Sequence, residues 1–228
     1  MSLEFTEKSQ IMKEKNLGQF ICTQNLANNE NFLNANTAIR DSHIIFFSGT
    51  KGGCGCSFIA SSVACFLAKT VNKSILLFDC NLGKKDLRTV FNLYGDNLRD
   101  IGDIDFDFSE IDLGLLKKLT VNLDNSLNLI LPPIKFEKIF RLNSQGLLLF
   151  LDKLSAFFDI ILIDFPYYFY LNENSSLLDK ADKIILISQA DYVSVNNLEN
   201  LLSNIFFERE YLMPEIVINK FNLKPFIS

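Results

Sequence analysis

The sequence predicts a doubly wound α/β fold, a mostly parallel sheet with helices on both faces. Two observations carry this. Six short runs, HIIFFS, SILLFD, LNLILPP, FDIILIDFP, KIILIS and EIVINK, have strand length and are apolar on both faces, as central parallel strands covered by helices require. Helical stretches lie among them at Ser57–Lys69, Ser144–Phe158 and Ser194–Phe207. Strand and helix therefore alternate, and that order builds parallel crossovers rather than hairpins.

In chain order, residues 1–42 stand apart. They are polar and Asn-rich (TQNLANNENFLNANTAIRD), with a short helix expected near Glu4–Lys15, and read as an N-terminal extension. Residues 43–228 form the α/β domain. At 48% hydrophobic residues the 228-residue chain has ample material for one core. A net charge of −5 and a pI near 5.0 give no electrostatic basis for binding bulk nucleic acid. The 22 Phe and absent Trp read as compositional bias rather than an aromatic binding function. No apolar run approaches the ~18 residues of a membrane-spanning helix. No apolar leader opens the chain, and the five cysteines (22, 54, 56, 65 and 80) are odd in number, so reduced thiols in a cytoplasm are expected. His43, the sole histidine, begins a strand, which argues against a His-centred triad. The acidic run Asp100–Asp112 reads as a solvated face, since it lacks the spacing of a calcium loop.

Ligands of such sheets bind beyond the carboxyl ends of the strands. After HIIFFS comes SGTKGGCGCSFIA, where Gly49, Gly52, Gly53 and Gly55 let successive N–H groups turn toward one anion. Ser57 follows at the start of a helix, and helix N-termini attract phosphate. SILLFD ends on Asp79 and DIILID on Asp164. A carboxylate at the tip of an apolar strand is costly unless it meets a cation or donors, so one or both are expected to handle Mg²⁺.

These residues resemble the ParA/MinD family of P-loop ATPases. Lys51-Gly52-Gly53-Cys54-Gly55-Cys56-Ser57 is similar to that family's deviant Walker A motif, KGGxGK[ST]. FDCNLGKKDL resembles Walker A′, FDIILIDFP resembles Walker B, and Asn219-Lys220 resembles the pair that recognises adenine. The four motifs fall in the family's order over about residues 43–222. The resemblance implies ATP or ADP held by Gly52, Gly53, Cys54, Gly55, Cys56, Ser57, Phe58 and Asn219. It implies Mg²⁺ at Ser57, Asp79 and Asp164, and catalytic roles for Lys51, Asp79 and Asp164, with Lys51 reaching a partner's nucleotide across a homodimer. The Asp-x-Pro Walker B with its aromatic follow-on is similar to the pilus-localisation branch, CpaE/TadZ; the flagellar regulator FlhG is a rival likeness.

The departures shape the functional expectation. Cys56 stands where the Walker A lysine belongs, and Asn81 where Walker A′ has its second aspartate. The loop after Walker B, Pro166-Tyr-Tyr-Phe-Tyr, has no glycine, and the sequence ends nine residues past Asn219, so the domain reads as shortened there. A neutral thiol cannot replace a fixed ammonium, and an amide is a poor substitute for a carboxylate that orients water. The reading is a nucleotide-binding protein with weak or absent hydrolysis, acting in spatial localisation beside a protein partner from a secretion or motility apparatus. The alternatives are an active ATPase that borrows Lys51 across a dimer, and a scaffold that keeps only the fold. Lys51 is expected to face outward. Cys56 and Cys80 are expected close but unbonded, with the Cys56 thiol turned to the phosphate pocket, readily alkylated and protected by ATP. Cys-x-Cys is a partial metal-ligand set with no evident fourth member.

Overall fold

The computed structural model describes residues 42–82, 84–95, 98–103, 111–135, 144–166, 173–207 and 212–221. The predicted helix at Glu4–Lys15 and most of the N-terminal extension lie outside them. The elements run β1 (His43–Gly49), α1 (Cys56–Thr70), β2 (Ile75–Asp79), α2 (Asp86–Val90), α3 (Leu113–Leu119), β3 (Thr120–Asp124), β4 (Leu127–Ile130), α4 (Ser144–Ser155), β5 (Ile160–Asp164), β6 (Lys183–Gln189), α5 (Tyr192–Leu201) and β7 (Glu215–Asn219). The seven strands form one sheet in the order β3-β4-β2-β5-β1-β6-β7. Every pairing is parallel except that of β3 with β4.

Strand alternation divides the core between the two faces. Phe46, Phe78, Ile161, Ile163 and Leu186 pack with α4 residues Phe150, Leu151 and Leu154 and with Leu201 of α5. Phe47, Ile75, Leu77 and Leu162 pack on the other face with Ala60 and Ala64 of α1. Each such side chain taken wholly out of water contributes about 1.5–3 kcal/mol. Ala60 and Ala64 are fully buried, and their small size lets α1 lie close against the sheet.

β3 is absent from the sequence reading, because TVNLD is polar at alternate positions and only half-buried at an edge. α2 and α3 escape it as well, being five and seven residues long, too short for a periodic signal. α5 begins at Tyr192, two residues before the expected Ser194, because Asp191 caps it: its carboxylate accepts the Ser194 N–H at 3.0 Å. The acidic run is not a uniformly solvated face. Asp100 is buried, its carboxylate lies 3.9 Å from the Arg88 guanidinium and accepts the Gly102 N–H at 3.0 Å, and Asp112 caps α3. Residues 104–110 of that run lie outside the described residues. His43 is exposed at the start of β1.

Candidate nucleotide site

β1 lies at the centre of the topology: β2 follows it on one side of the sheet and β6 pairs with it on the other. The loop that leaves β1 therefore opens at the switch point, flanked by the carboxyl ends of β5, β2, β6 and β7. Its start is fixed by Thr50, whose N–H donates to Ile187 O at 2.9 Å and whose carbonyl accepts from Asn197 at 2.9 Å. Gly53 and Gly55 have φ values of +78° and +95°, the left-handed region that only glycine adopts freely, and these reversals form the concave stretch of N–H groups. A Cβ at Gly55 would collide with the Asn219 amide. Gly52 and Gly53 face open space, with nothing within 4 Å of such an atom. α1 then begins at Cys56 with no side-chain cap, so its first-turn N–H groups remain available to an anion.

The loop carbonyls are held from behind. Asn219 Nδ2 donates to Cys54 O at 2.8 Å, Lys220 Nζ to Gly53 O at 2.7 Å, and Gln189 Nε2 to Gly53 O at 3.0 Å. The pair that the resemblance assigns to adenine is thus seated on the glycine loop.

Beneath the loop, Asp79 and Asp164 are register partners at the ends of β2 and β5, each 1% exposed. Asp79 Oδ1 accepts the Asn81 N–H at 2.9 Å and the Asn81 side-chain amide at 3.2 Å. Asp164 Oδ1 accepts from the Cys56 thiol at 3.3 Å, and the Ser57 hydroxyl is placed to favour the charged form of Asp164. The second oxygen of each carboxylate is buried with no partner. The aspartates at the opposite ends of the strands are different: Asp159 accepts the Ser74 N–H and hydroxyl, and Asp182 accepts the Ile44 N–H, each at 2.7 Å. Burial, then the charge of Asp164, pushes Asp79 well above the usual carboxylate range. Burial also raises Asp164, against the hydrogen bonds from Ser57, Cys56 and Asn81 that favour its charged form.

Two adjacent buried carboxylates with unpartnered oxygens fit a cation. The donors are all oxygen (Asp79, Asp164 and the Ser57 hydroxyl), which suits Mg²⁺. Among the described residues no three His, Cys, Asp or Glu side chains are grouped to hold a metal alone. Mg²⁺ commonly completes its shell with water and substrate phosphate, so this sparse set matches a metal that arrives with a nucleotide.

Lys51 does not stand free. Its ammonium lies 2.7 Å from Asp191 of the same chain, and Asp191 also accepts from the Ser194 N–H and hydroxyl. The Lys51 hydrogen bond is the main reason that Asp191 is pushed down to about 2. Asp191 and Gln189 are site residues that sequence reasoning missed. The signal was present in Asp191-x-x-Ser194, a helix-capping spacing directly after a strand. Phe58 is half exposed on the first turn of α1.

Among the described residues Cys54, Cys56, Cys65 and Cys80 form no disulfide. Cys56 turns onto Asp164 rather than into open space, and burial followed by the Asp164 charge raises its thiol well above the usual value. Slow alkylation, in place of the ready alkylation expected from the sequence, is the outcome this environment predicts. Iodoacetamide should label Cys56 at least about tenfold more slowly than a free thiol at neutral pH, since only the thiolate reacts. Asp164→Asn should speed the labelling, as followed by mass spectrometry of the Cys56 peptide; a fast wild-type reaction would place the thiol elsewhere.

A sheet built outward from β1, with a glycine loop leading into a helix beside two strand-end aspartates, defines a P-loop type of α/β fold. Solved structures narrow it. The chain is similar to a ParA family ATPase from Chlorobium tepidum TLS at 24% identity and a TM-score of 0.65, over 82% of this chain and 76% of that one. It is similar to a putative plasmid partition protein from Borrelia burgdorferi B31, solved bound to AMPPNP, at 22% identity and a TM-score of 0.53, over 78% and 74% of the two chains. A MinC:MinD cell division complex from Aquifex aeolicus matches at 21% identity and a TM-score of 0.57, over 78% and 68%. The fold is the ParA/MinD one. No protein-family model matches the sequence, and no curated protein does. Among the described residues no helix is long and apolar enough to cross a membrane.

Proposed function

We propose that the protein is a ParA/MinD-like ATP-binding localisation factor of the cytoplasm with weak or absent hydrolysis. One observation carries this reading. The anion cradle and the carboxylate pair are kept, while position 56, where the resemblance places the phosphate-gripping lysine, holds a thiol turned onto Asp164. Asn81 reinforces it: its amide is committed to Asp79, and it has no carboxylate to orient an attacking water. Nucleotide and Mg²⁺ would bind at the loop, Ser57, Asp79 and Asp164. The structures in which the fold recurs, one bound to AMPPNP and one in complex with MinC, support nucleotide binding and a protein partner as separate expectations.

Titration calorimetry with ATP·Mg²⁺ and a phosphate-release assay test this together. Binding without turnover is expected. Turnover of about 0.1 per second or faster, within reach of ordinary enzymes, would overturn the weak-hydrolysis reading. Absence of both would leave a scaffold that keeps only the fold. An active ATPase that borrows Lys51 across a homodimer must first break the Lys51–Asp191 pair. Light scattering should then show an ATP-dependent dimer that Lys51→Ala abolishes.

A further inference from the structure

Each peptide plane of the glycine loop carries a carbonyl on one side and an N–H on the other. In a trans peptide the two point in opposite directions, and no cis peptide occurs among the described residues. A donor that grips a loop carbonyl therefore aims the next N–H away from itself. Cys54 O and the Gly55 N–H share one such plane. Among the described residues Cys54 O accepts one hydrogen bond, from Asn219 Nδ2 at 2.8 Å, and the Gly55 N–H on the far side donates to no protein acceptor. The preceding plane repeats the pattern. Gly53 O is held by Lys220 and Gln189, and the Cys54 N–H, in a residue only 1% exposed, is likewise unused among the described residues. An N–H without a partner in a buried residue is rare, which points to an acceptor supplied by a ligand.

Asn219 is itself fixed on both sides of its amide. Its Oδ1 accepts the Lys220 N–H at 2.9 Å, in a turn where Lys220 has φ +55°. Its Nδ2 side packs against Gly55, where a Cβ would collide with it. Gly55 thus supplies both the left-handed turn, at φ +95°, and the room that the amide occupies. We propose that Asn219 is a positioning residue for the phosphate of the nucleotide. By holding Cys54 O it aims the Gly55 N–H into the cradle, and it acts on the ligand through that N–H rather than by touching it. This rests on the nucleotide-binding reading above. The ligand feature it serves is an anionic phosphate oxygen, so its effect is the same with or without a base. The resemblance instead assigns Asn219 to adenine, and the two roles predict different outcomes.

The test compares ATP·Mg²⁺ with inorganic tripolyphosphate·Mg²⁺, by calorimetry and by following the backbone amide signals of Gly55 and Ser57 in NMR spectra. Asn219→Ala removes the donor to Cys54 O. Asn219→Asp keeps the shape and the acceptor that the Lys220 N–H uses, but presents an oxygen to Cys54 O. Melting curves confirm that each variant is folded. Asn219→Ala should weaken both ligands by the same factor, about tenfold or more, as expected for loss of one hydrogen bond to a charged group. In wild type, tripolyphosphate should move the Gly55 and Ser57 signals together. In both variants the Gly55 signal should stay in place while that of Ser57, in the first turn of α1, still moves. A loss confined to ATP would assign Asn219 to the base and overturn the proposal, as would unchanged affinity for both ligands or a Gly55 signal that still moves. Loss of the Ser57 response as well would make Asn219 a residue that merely holds the fold together, and would overturn it too. Wild type that binds neither ligand would instead remove the nucleotide reading itself, and this proposal with it.

Discussion

Asp79→Asn should raise the melting temperature of the ligand-free protein in EDTA. In the wild type, two adjacent buried carboxylates each leave one oxygen without a partner. Asn at position 79 keeps the Oδ1 acceptor that Asn81 uses, removes one charge, and adds N–H donors on the side where Asp164 lies. An unsatisfied buried group costs about 1–3 kcal/mol, and at about 2–4 °C per kcal/mol for a chain of this size the gain is about 2–12 °C. The pH dependence has a definite sign. Burial raises the folded pKa values of Asp79 and Asp164 above their unfolded ones, and the Asp164 charge adds to the rise at Asp79. Their contribution to stability is then fully present below the ordinary carboxylate pKa of about 4 and is lost as pH rises through the raised values. The wild type should lose stability from mildly acidic to neutral pH more steeply than the variant, in differential scanning calorimetry at both pH values. ATP·Mg²⁺ should raise the wild-type melting temperature and leave that of Asp79→Asn nearly unmoved. A variant that melts lower than wild type in EDTA would mean that the pair is already satisfied without a cation.

The second large effect is a gain. Cys56→Lys with Asn81→Asp should raise ATP turnover by about 10²–10³, the scale of one electrostatic contribution to transition-state stabilisation. The two changes act in one unit, so their effects need not multiply. Position 56 is the first residue of α1, and its side chain already reaches Asp164, which gives a new ammonium a resting partner beside the cradle. Phosphate release under single-turnover conditions measures the result. Tighter ATP binding with no faster release would show that the block lies outside these two positions.

The fold was legible because its signal is physical and local. Strands apolar on both faces, such as ILLFD and IILID, have no use except in a covered parallel sheet, and all six predicted runs contain strands of it. The edge strand β3 lacked that signal because half of it meets solvent. The glycines, Asp79 and Asp164 were legible as chemistry that is costly to place at a strand end without a ligand. The pairing of Lys51 within its own chain was not legible, because its partner is 140 residues away and no spacing in the sequence encodes the 2.7 Å contact with Asp191. Asn219 and Lys220 were found as a pair, but their direction is set by the +55° backbone turn at Lys220, which composition does not reveal. The environment of the Cys56 thiol was not legible, because it comes from burial first and then from the Asp164 carboxylate contributed by β5.

Among the described residues β7 is the outermost strand of the sheet on its side and pairs only with β6, and it is largely exposed, with Ile216, Val217 and Ile218 all in contact with water. Strands of that kind are the first to detach in native-state fluctuations, well below the cost of global unfolding. The side chains that brace the glycine loop, Asn219 and Lys220, lie at the tip of this strand. Each detachment therefore releases Cys54 O and leaves Gly53 O to the Gln189 amide of β6. Hydrogen exchange should then show the amides around Cys54 opening together with those of β7, while the Thr50 end of the loop, anchored to Ile187 and Asn197, stays closed.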